Sequence, residues 1–348
     1  MTISISALRG FLLEEALSKL LENSGYTLID RQVLNYPDRY PEFVSRGNGL
    51  NIKGRGGTHQ ADVLGQFPIS IPFNYPVRLF VEAKFRGQKT GIDVVRSGIG
   101  ILTDLNANYQ TIDLSGDELL IQRFSYQYAI FSTSGFSENA IKLAIAYKIT
   151  LIDLSGNEYI DLLETIDIVA RRLYRFLERR EIILDEIRQY IRFRLFGERP
   201  RYDEQLIYSG YFDDILEPLF NKIDEYGDLY LASVNSPFSI LIKPSSSRGF
   251  KEFIREYKES TFEVSISWYY DEPNFWRISL DYYNQSELEF TFYLPELIKN
   301  YIFNRQNSSD VLVNALNAKE QFFESMVFYM RSAEKFITFK YRAPNVFE

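Results

Sequence analysis

The order in which the apolar pattern changes period over the first 160 residues is what most restricts this fold. ALRGFLLEEALSKLLENSGYTL sets Leu13, Ala16, Leu17, Leu20 and Leu21 on one helical face, and Gly25 ends that helix as a C-cap. HQADVLGQFP predicts a short strand near 60–66, and RLFVEAKF a stronger one at 78–85. TGIDVVRSGIGILTDLNANY predicts a helix over about 91–107, weakened by its glycines. SYQYAIFST is a buried strand, SENAIKLAIAYK a helix capped by Ser137, and ITLIDLSG a closing strand. Helix, strand pair, helix, strand, helix, strand describes an α/β domain, with a right-handed crossover where the flanking strands are parallel. Residues 30–58, with Pro37, Pro41 and the glycines of GRGG, read as loop with short extended pieces.

The texture then changes twice. Residues 158–196 hold a helical pattern without proline or glycine, rich in arginine: Arg171, Arg172, Arg175, Arg179, Arg180, Arg188, Arg192 and Arg194. It reads as a connector, ended by Gly197 and Pro200. Beyond it, LYLASV, FSILIK, TFEVSISWYY, FWRISLDYY, LEFTFYL and KFITFKY are strand candidates, and PELIKNYIF and NAKEQFFESMVFYM helical ones. The expected organisation of the 348 residues is an α/β domain at 1–157, a connector at 158–199 and an aromatic-rich α+β recognition or regulatory domain at 200–348.

Composition removes several chemistries. With no cysteine there is no disulfide, zinc–thiolate site, iron–sulfur cluster or cysteine nucleophile. His59 is the sole histidine, which excludes multi-histidine metal sites. A net charge of -8 leaves nucleic acid open as a ligand, because a local basic surface is what meets phosphates. MTISISALRG has no apolar signal core, and no apolar run reaches the roughly 18 residues of a membrane span. The expectation is a soluble cytoplasmic protein with no membrane partner.

Glu82 and Lys84 stand two apart on an otherwise apolar strand. Their side chains leave one face about 6–7 Å apart, while Val81, Ala83 and Phe85 supply the other. Asp62 lies on or beside an earlier strand and reaches that face if the two strands pair. Paired carboxylates with water or backbone oxygens form a hard site suited to magnesium or manganese. Such a site serves phosphodiester hydrolysis by polarising the phosphate and activating water. Lys84 can stabilise developing negative charge or orient that water. An E-x-K triplet alone is weak evidence, since solvated surface strands often carry one.

These residues, in this order, resemble the PD-(D/E)xK nuclease superfamily and more narrowly its Mrr-type restriction endonuclease domains. GTHQADVLG is similar to the segment with the first metal acid, Asp62. VEAKFR is similar to the strand with the second acid and the lysine, Glu82 and Lys84. GIDVVR resembles the following helix start, and YAIFSTSGFSENAIKLAIAYKITLIDLSG the closing strand–helix–strand. LLEEALSKLLENSGYTL resembles the first helix, whose acid near the start faces the site; Glu14 matches it better than Glu15. The resemblance covers about residues 8–156. It departs from the pattern in having Ala61 rather than proline before Asp62, an acid where many Mrr-type domains carry glutamine, and a long proline-rich connection at 67–77. It implies a restriction-endonuclease-like mixed-sheet core with helices on both faces. It also implies a magnesium-dependent deoxyribonuclease acting on double-stranded DNA, with manganese as a substitute and Asp62, Glu82 and Glu14 as metal acids. A restriction or phage-defence role follows from the resemblance alone, and a repair or recombination nuclease is the nearest competitor. Cleaving both strands calls for a homodimer or repeated binding, and residues 200–348 are open to an activating partner or signal.

Other residues keep two readings. Gln60 alternates with Asp62 and either supports the scissile phosphate or bonds locally. His59 either meets phosphate or is a local hydrogen-bonding residue. Arg86, Lys89 and Arg96 are phosphate-contact candidates, Arg86 on the face of Glu82 and Lys84 if that strand continues. Arg171, Arg175 and Arg179 form a stripe that either lies along DNA or pairs with neighbouring acids. Tyr269, Tyr270, Trp276, Tyr282, Tyr283 and Tyr293 are core, base-stacking or dimer-interface residues.

Overall fold

In the computed structural model, residues 3–46, 49–69, 73–107, 123–178, 184–198, 209–226, 229–235, 239–269, 272–283, 285–303 and 308–343 are described. Arg179, Arg180 and Tyr270 lie outside them. The chain divides into two compact units. One comprises residues 1–22, 26–149 and 153–227, the other 23–25, 150–152 and 228–348.

The chain opens with α1 (Ile5–Asn23) and β1 (Thr27–Leu28). Leu8, Phe11, Leu12, Leu13, Ala16, Leu17, Leu20 and Leu21 are all buried, and so are Glu15 and Ser18. Burial runs all round the helix rather than along the single stripe expected, as for a helix inside a core. Gly25 follows at φ 90°, the left-handed conformation a helix end requires.

Residues 30–58 are more ordered than their punctuation suggests. A 3-10 turn at Arg31–Asn35 leads into β2 (Phe43–Arg46), β3 (Gly49–Lys53) and β4 (Thr58–Gln60), a three-stranded antiparallel sheet. The strand expected at 60–66 is therefore two strands. β4 belongs to the small sheet, and β5 (Val63–Gln66) to the central one.

The central sheet has the order β1-β5-β6-β7-β8, with β6 (Val77–Lys84), β7 (Ser125–Ser132) and β8 (Thr150–Asp153). β5 runs antiparallel to β6 and β6 parallel to β7, so the sheet is mixed. α2 (Ile92–Asn106) makes the β6–β7 crossover and α3 (Glu138–Ala146) the β7–β8 connection. Ser137 caps α3, its Oγ accepting the Ala140 N–H at 3.3 Å.

The arginine-rich pattern forms two helices, α4 (Ile160–Leu177) and α5 (Leu184–Phe196), and not one. α4 buries Leu162, Ile166, Val169, Ala170, Leu173 and Phe176, and packs on α6 (Ser209–Glu225). All three helices fall within the first unit. No helix among the described residues is long and apolar enough to cross a membrane.

The second unit is built on β9 (Tyr230–Ser233), β10 (Ser239–Pro244), β11 (Thr261–Tyr269), β12 (Glu272–Leu280), β13 (Gln285–Tyr293), β14 (Ser325–Met330) and β15 (Lys335–Tyr341). They close into a barrel in the order β10-β13-β12-β11-β15-β14-β9. α7 (Ser247–Glu256), α8 (Glu296–Phe303) and α9 (Ser308–Phe322) complete it. The helix expected through NAKEQFFESMVFYM stops at Phe322, and SMVFYM is β14, with Met326, Phe328 and Met330 buried in alternation. Phe262, Trp276, Phe290, Phe292 and Phe339 are fully buried, so core packing accounts for these aromatics. Tyr269 is exposed, its ring under Arg277 at 4.2 Å.

Candidate active site

The register of β5 on β6 positions the first pair of acids. The ladder ends with Val63 opposite Val81, which leaves Asp62 just outside β5 at that end. The Asp62 N–H donates to the Val81 carbonyl at 3.1 Å, and the Ala83 N–H donates to Asp62 Oδ2 at 2.7 Å. One face of β6 carries Arg78, Phe80, Glu82 and Lys84 in turn. Lys84 Nζ is ion-paired with Glu82 Oε1, and the Tyr128 hydroxyl donates to Glu82 Oε2 at 3.0 Å.

Tyr128 went unnoticed in the sequence. The β6–β7 register pairs it with Phe80, and the two rings stack at 4.9 Å. Burial, and then the charge of Glu82, pushes its hydroxyl far up, so it stays a proton donor to the carboxylate. A Cβ at Gly98 of α2 would lie 2.8 Å from the Tyr128 ring. The glycine that weakens α2 thus permits the close approach of helix and tyrosine.

α1 supplies the third acid. Glu14 lines a cavity with Gln60 and Asp62, together with Asp30, Arg188 and Arg192. Glu82 and Lys84, on β6, are not among the lining residues. Glu15 points elsewhere; it is 1% exposed and paired with Arg188 and Arg192, each at 3.1 Å. Arg188 also donates to Glu14 Oε2 at 2.8 Å. Burial, and then the charge of Asp62, pushes Glu14 up to about 8 against the pull of Arg188. Burial and the charge of Glu82 raise Asp62 to about 6, against the Ala83 N–H, Lys84 and Arg188. The three acids therefore feel one another in a chain from Glu14 through Asp62 to Glu82.

This donor set suits a hard divalent cation. Carboxylate and amide oxygens are what magnesium prefers, and buried like charges are what a cation relieves. Among the described residues no three His, Cys, Asp or Glu side chains form a ready cage. Magnesium commonly uses one or two carboxylates and keeps its waters, so Asp62 with Glu82 or Glu14 is a sufficient set.

The remaining candidates separate. Gln60 shares the cavity with Asp62, as its alternation predicts. His59 is engaged elsewhere, with Nε2 2.7 Å from Asp104 Oδ2 on α2. Asp104 also accepts the N–H of Gly56 at 2.7 Å and of Gly57 at 3.1 Å, fastening the GRGG loop to α2. β6 ends at Lys84, so the condition that put Arg86 on its face is not met. Arg86 is exposed beside Arg9, Gln88 and Asp167 in a shallow open depression. Lys89 is exposed, and Arg96 lies on the surface of α2, 3.2 Å from Asp93. Arg171 pairs with Asp167 at 2.9 Å.

No protein-family model matches the chain, and comparison with curated proteins finds no match. Among solved structures, the chain is similar to the crystal structure of a protein of unknown function, AF1548. The two are 16% identical, with a TM-score of 0.33, over 62% of this chain and 97% of that one. That likeness is too low to argue from.

Proposed function

We propose that this chain is a metal-dependent DNA endonuclease whose site is Asp62, Glu82 and Lys84, joined by Glu14 and supported by Gln60. The observation that carries the reading is that Asp62 stands beside acids from two other segments, Glu82 on one side and Glu14 on the other. Asp62 bonds the backbone of Val81 and of Ala83, on either side of Glu82, and Glu14 of α1 shares a cavity with Asp62. Surface E-x-K triplets lack such partners. The mixed sheet, with α1 before it and α2 in the β6–β7 crossover, supports a restriction-endonuclease-like core.

A bound magnesium ion, with manganese as substitute, would compensate phosphate charge and lower the pKa of its water. Asp62 and Glu82 would hold it, with Glu14 on the cavity side. Lys84 keeps its ammonium at the Glu82 carboxylate and is available to the developing negative charge. Tyr128 fixes the second Glu82 oxygen, which restricts the rotation of that acid. Double-stranded DNA is the proposed substrate, and cutting both strands favours a homodimer. A role in restriction or phage defence fits this reading.

The test is cleavage of supercoiled and linear DNA, with RNA as comparator, in EDTA, magnesium and manganese. Wild type should cut DNA only with metal, and D62N, E82Q and K84M should not. Metal-dependent cutting that persists in all three variants would overturn the assignment. Metal-independent binding without cutting would favour a nucleic-acid-binding protein on the same core.

A further inference from the structure

Arg188 enters the acid site from α5, more than a hundred residues after the β5–β6 pair. Its guanidinium is fixed from three sides. Glu15, nearly inaccessible to solvent, lies 3.1 Å from Nε; the Phe11 ring lies 5.0 Å from the guanidinium carbon; Glu14 accepts from Nη2 at 2.8 Å. The Nε approach to Glu15 is an ion-pair distance without hydrogen-bond alignment, so this buried donor has no aligned acceptor. The side chain is about one-quarter exposed and lines the cavity shared by Glu14, Gln60 and Asp62.

Two of its carboxylate partners have different duties. Glu15 is enclosed and is also held by Arg192, so it anchors the arginine from behind. Glu14 faces the cavity and is one of the acids proposed for the cation. A guanidinium beside such acids presents a planar fork that fits two phosphate oxygens. A cation so firmly anchored on its far side can meet an anion in the cavity without losing its position.

We propose that Arg188 contacts a DNA phosphate at this site and that Glu15 is its positioning residue. The inference rests on the nuclease reading above. It adds a substrate contact from outside the segment that resembles the nuclease family, and it assigns a task to the buried Glu15.

The experiment measures binding of a labelled mixed-sequence DNA duplex to the full chain in calcium, over a series of salt concentrations. Metal affinity is measured in parallel by calorimetry, and folding by thermal melting. Each phosphate contact contributes about 0.9 to the slope of log affinity against log salt. Arg188→Gln should lower that slope by about one contact and weaken binding about tenfold at moderate salt. Arg188→Lys keeps the charge and the fold, and should retain the slope while binding several-fold more weakly, because an ammonium cannot present the fork. Glu15→Gln should weaken binding as Arg188→Lys does. A folded Arg188→Gln protein with unchanged slope and affinity overturns the inference, leaving Arg188 a counter-ion of Glu14. If Arg188→Gln does not fold, unchanged affinity in Arg188→Lys overturns it instead. When wild type binds metal and DNA and D62N loses the metal, either result removes Arg188 alone. A wild type that binds no DNA in calcium removes the nuclease reading and this inference together.

Discussion

The N–H of Ala83 donates to Oδ2 of Asp62 at 2.7 Å, tying the first acid to the strand that carries the second. Asp62→Asn retains an oxygen for that bond and relieves the repulsion from Glu82, whereas Asp62→Ala leaves the amide without its acceptor. Asp62→Ala should therefore cost about 1–3 kcal/mol. Asp62→Asn should melt at or above the wild-type temperature, and both should lose metal-dependent cutting. Thermal melting beside a cleavage assay checks this. Equal melting temperatures for the two variants would mean that the bond does not hold the acid.

Stability should fall with rising pH in metal-free protein. Glu14 goes from an ordinary 4.5 to about 8 and Asp62 from 3.8 to about 6, both first through burial. A carboxyl whose folded pKa is raised favours folding fully below its unfolded pKa, and that contribution disappears as pH climbs through the folded value. The loss should begin near pH 4, and its part above pH 6 should belong to Glu14. Glu14→Gln should flatten the upper part of a melting-temperature profile, and added magnesium should raise the profile most at high pH. A wild-type profile unchanged between pH 6 and 8 would contradict the burial of Glu14.

On the proposed nuclease reading, Lys84 would act on charge that develops during the reaction rather than on DNA at rest. Lys84→Met should reduce cleavage by about 10²–10³-fold, the usual cost of removing such a stabilising group. Duplex binding in calcium should change little. Parallel loss of binding and cleavage would make Lys84 a binding residue.

His59 should matter to the loop and not to the chemistry. Burial pushes Asp104 up, but the His59 bond and the Gly56 and Gly57 amides together hold its carboxyl below the usual range. His59→Ala should keep near-wild-type cleavage and lose about 1 kcal/mol of stability, as for one ordinary hydrogen bond. Cleavage rates that fall as far as those of Lys84→Met would return His59 to the site.

Arg78 and Glu42 form a buried pair at 2.7 Å, with the arginine wholly inaccessible to solvent and stacked 3.3 Å from the Phe124 ring. Arg78→Met alone strands a buried carboxylate and should cost about 3–5 kcal/mol. Changing Glu42 to Met as well should restore most of that. Urea denaturation of the single and double variants reads the difference; additive losses would show that the two charges act separately.

The α/β order of the first unit was legible because β6, β7, α2 and α3 each keep one period for eight or more residues. That period places Glu82 and Lys84 on one face of β6 but does not by itself single them out as a site. The meander β2–β4 was hidden because its strands have three to five residues between prolines and glycines, too few for a period to emerge. β14 was hidden because FFESMVFYM continues an apolar run, and only the burial of alternate residues separates strand from helix. Sequence neighbours Glu14 and Glu15 differ only in the direction each leaves α1, which depends on how that helix packs. Arg188 was one arginine among eight, and nothing local marks the one that returns to the acids.

The proline-bearing connection between Gln66 and Val77 leaves the β5–β6 pair at the Gln66–Arg78 end. Asp62 and Glu82 lie at the other end, beyond Val63 and Val81. Four paired positions stand between that connection and the acids, so added chain there lengthens a loop without shifting the strands. A protease site or a fluorescent label grafted there would report on the protein while leaving its chemistry in place.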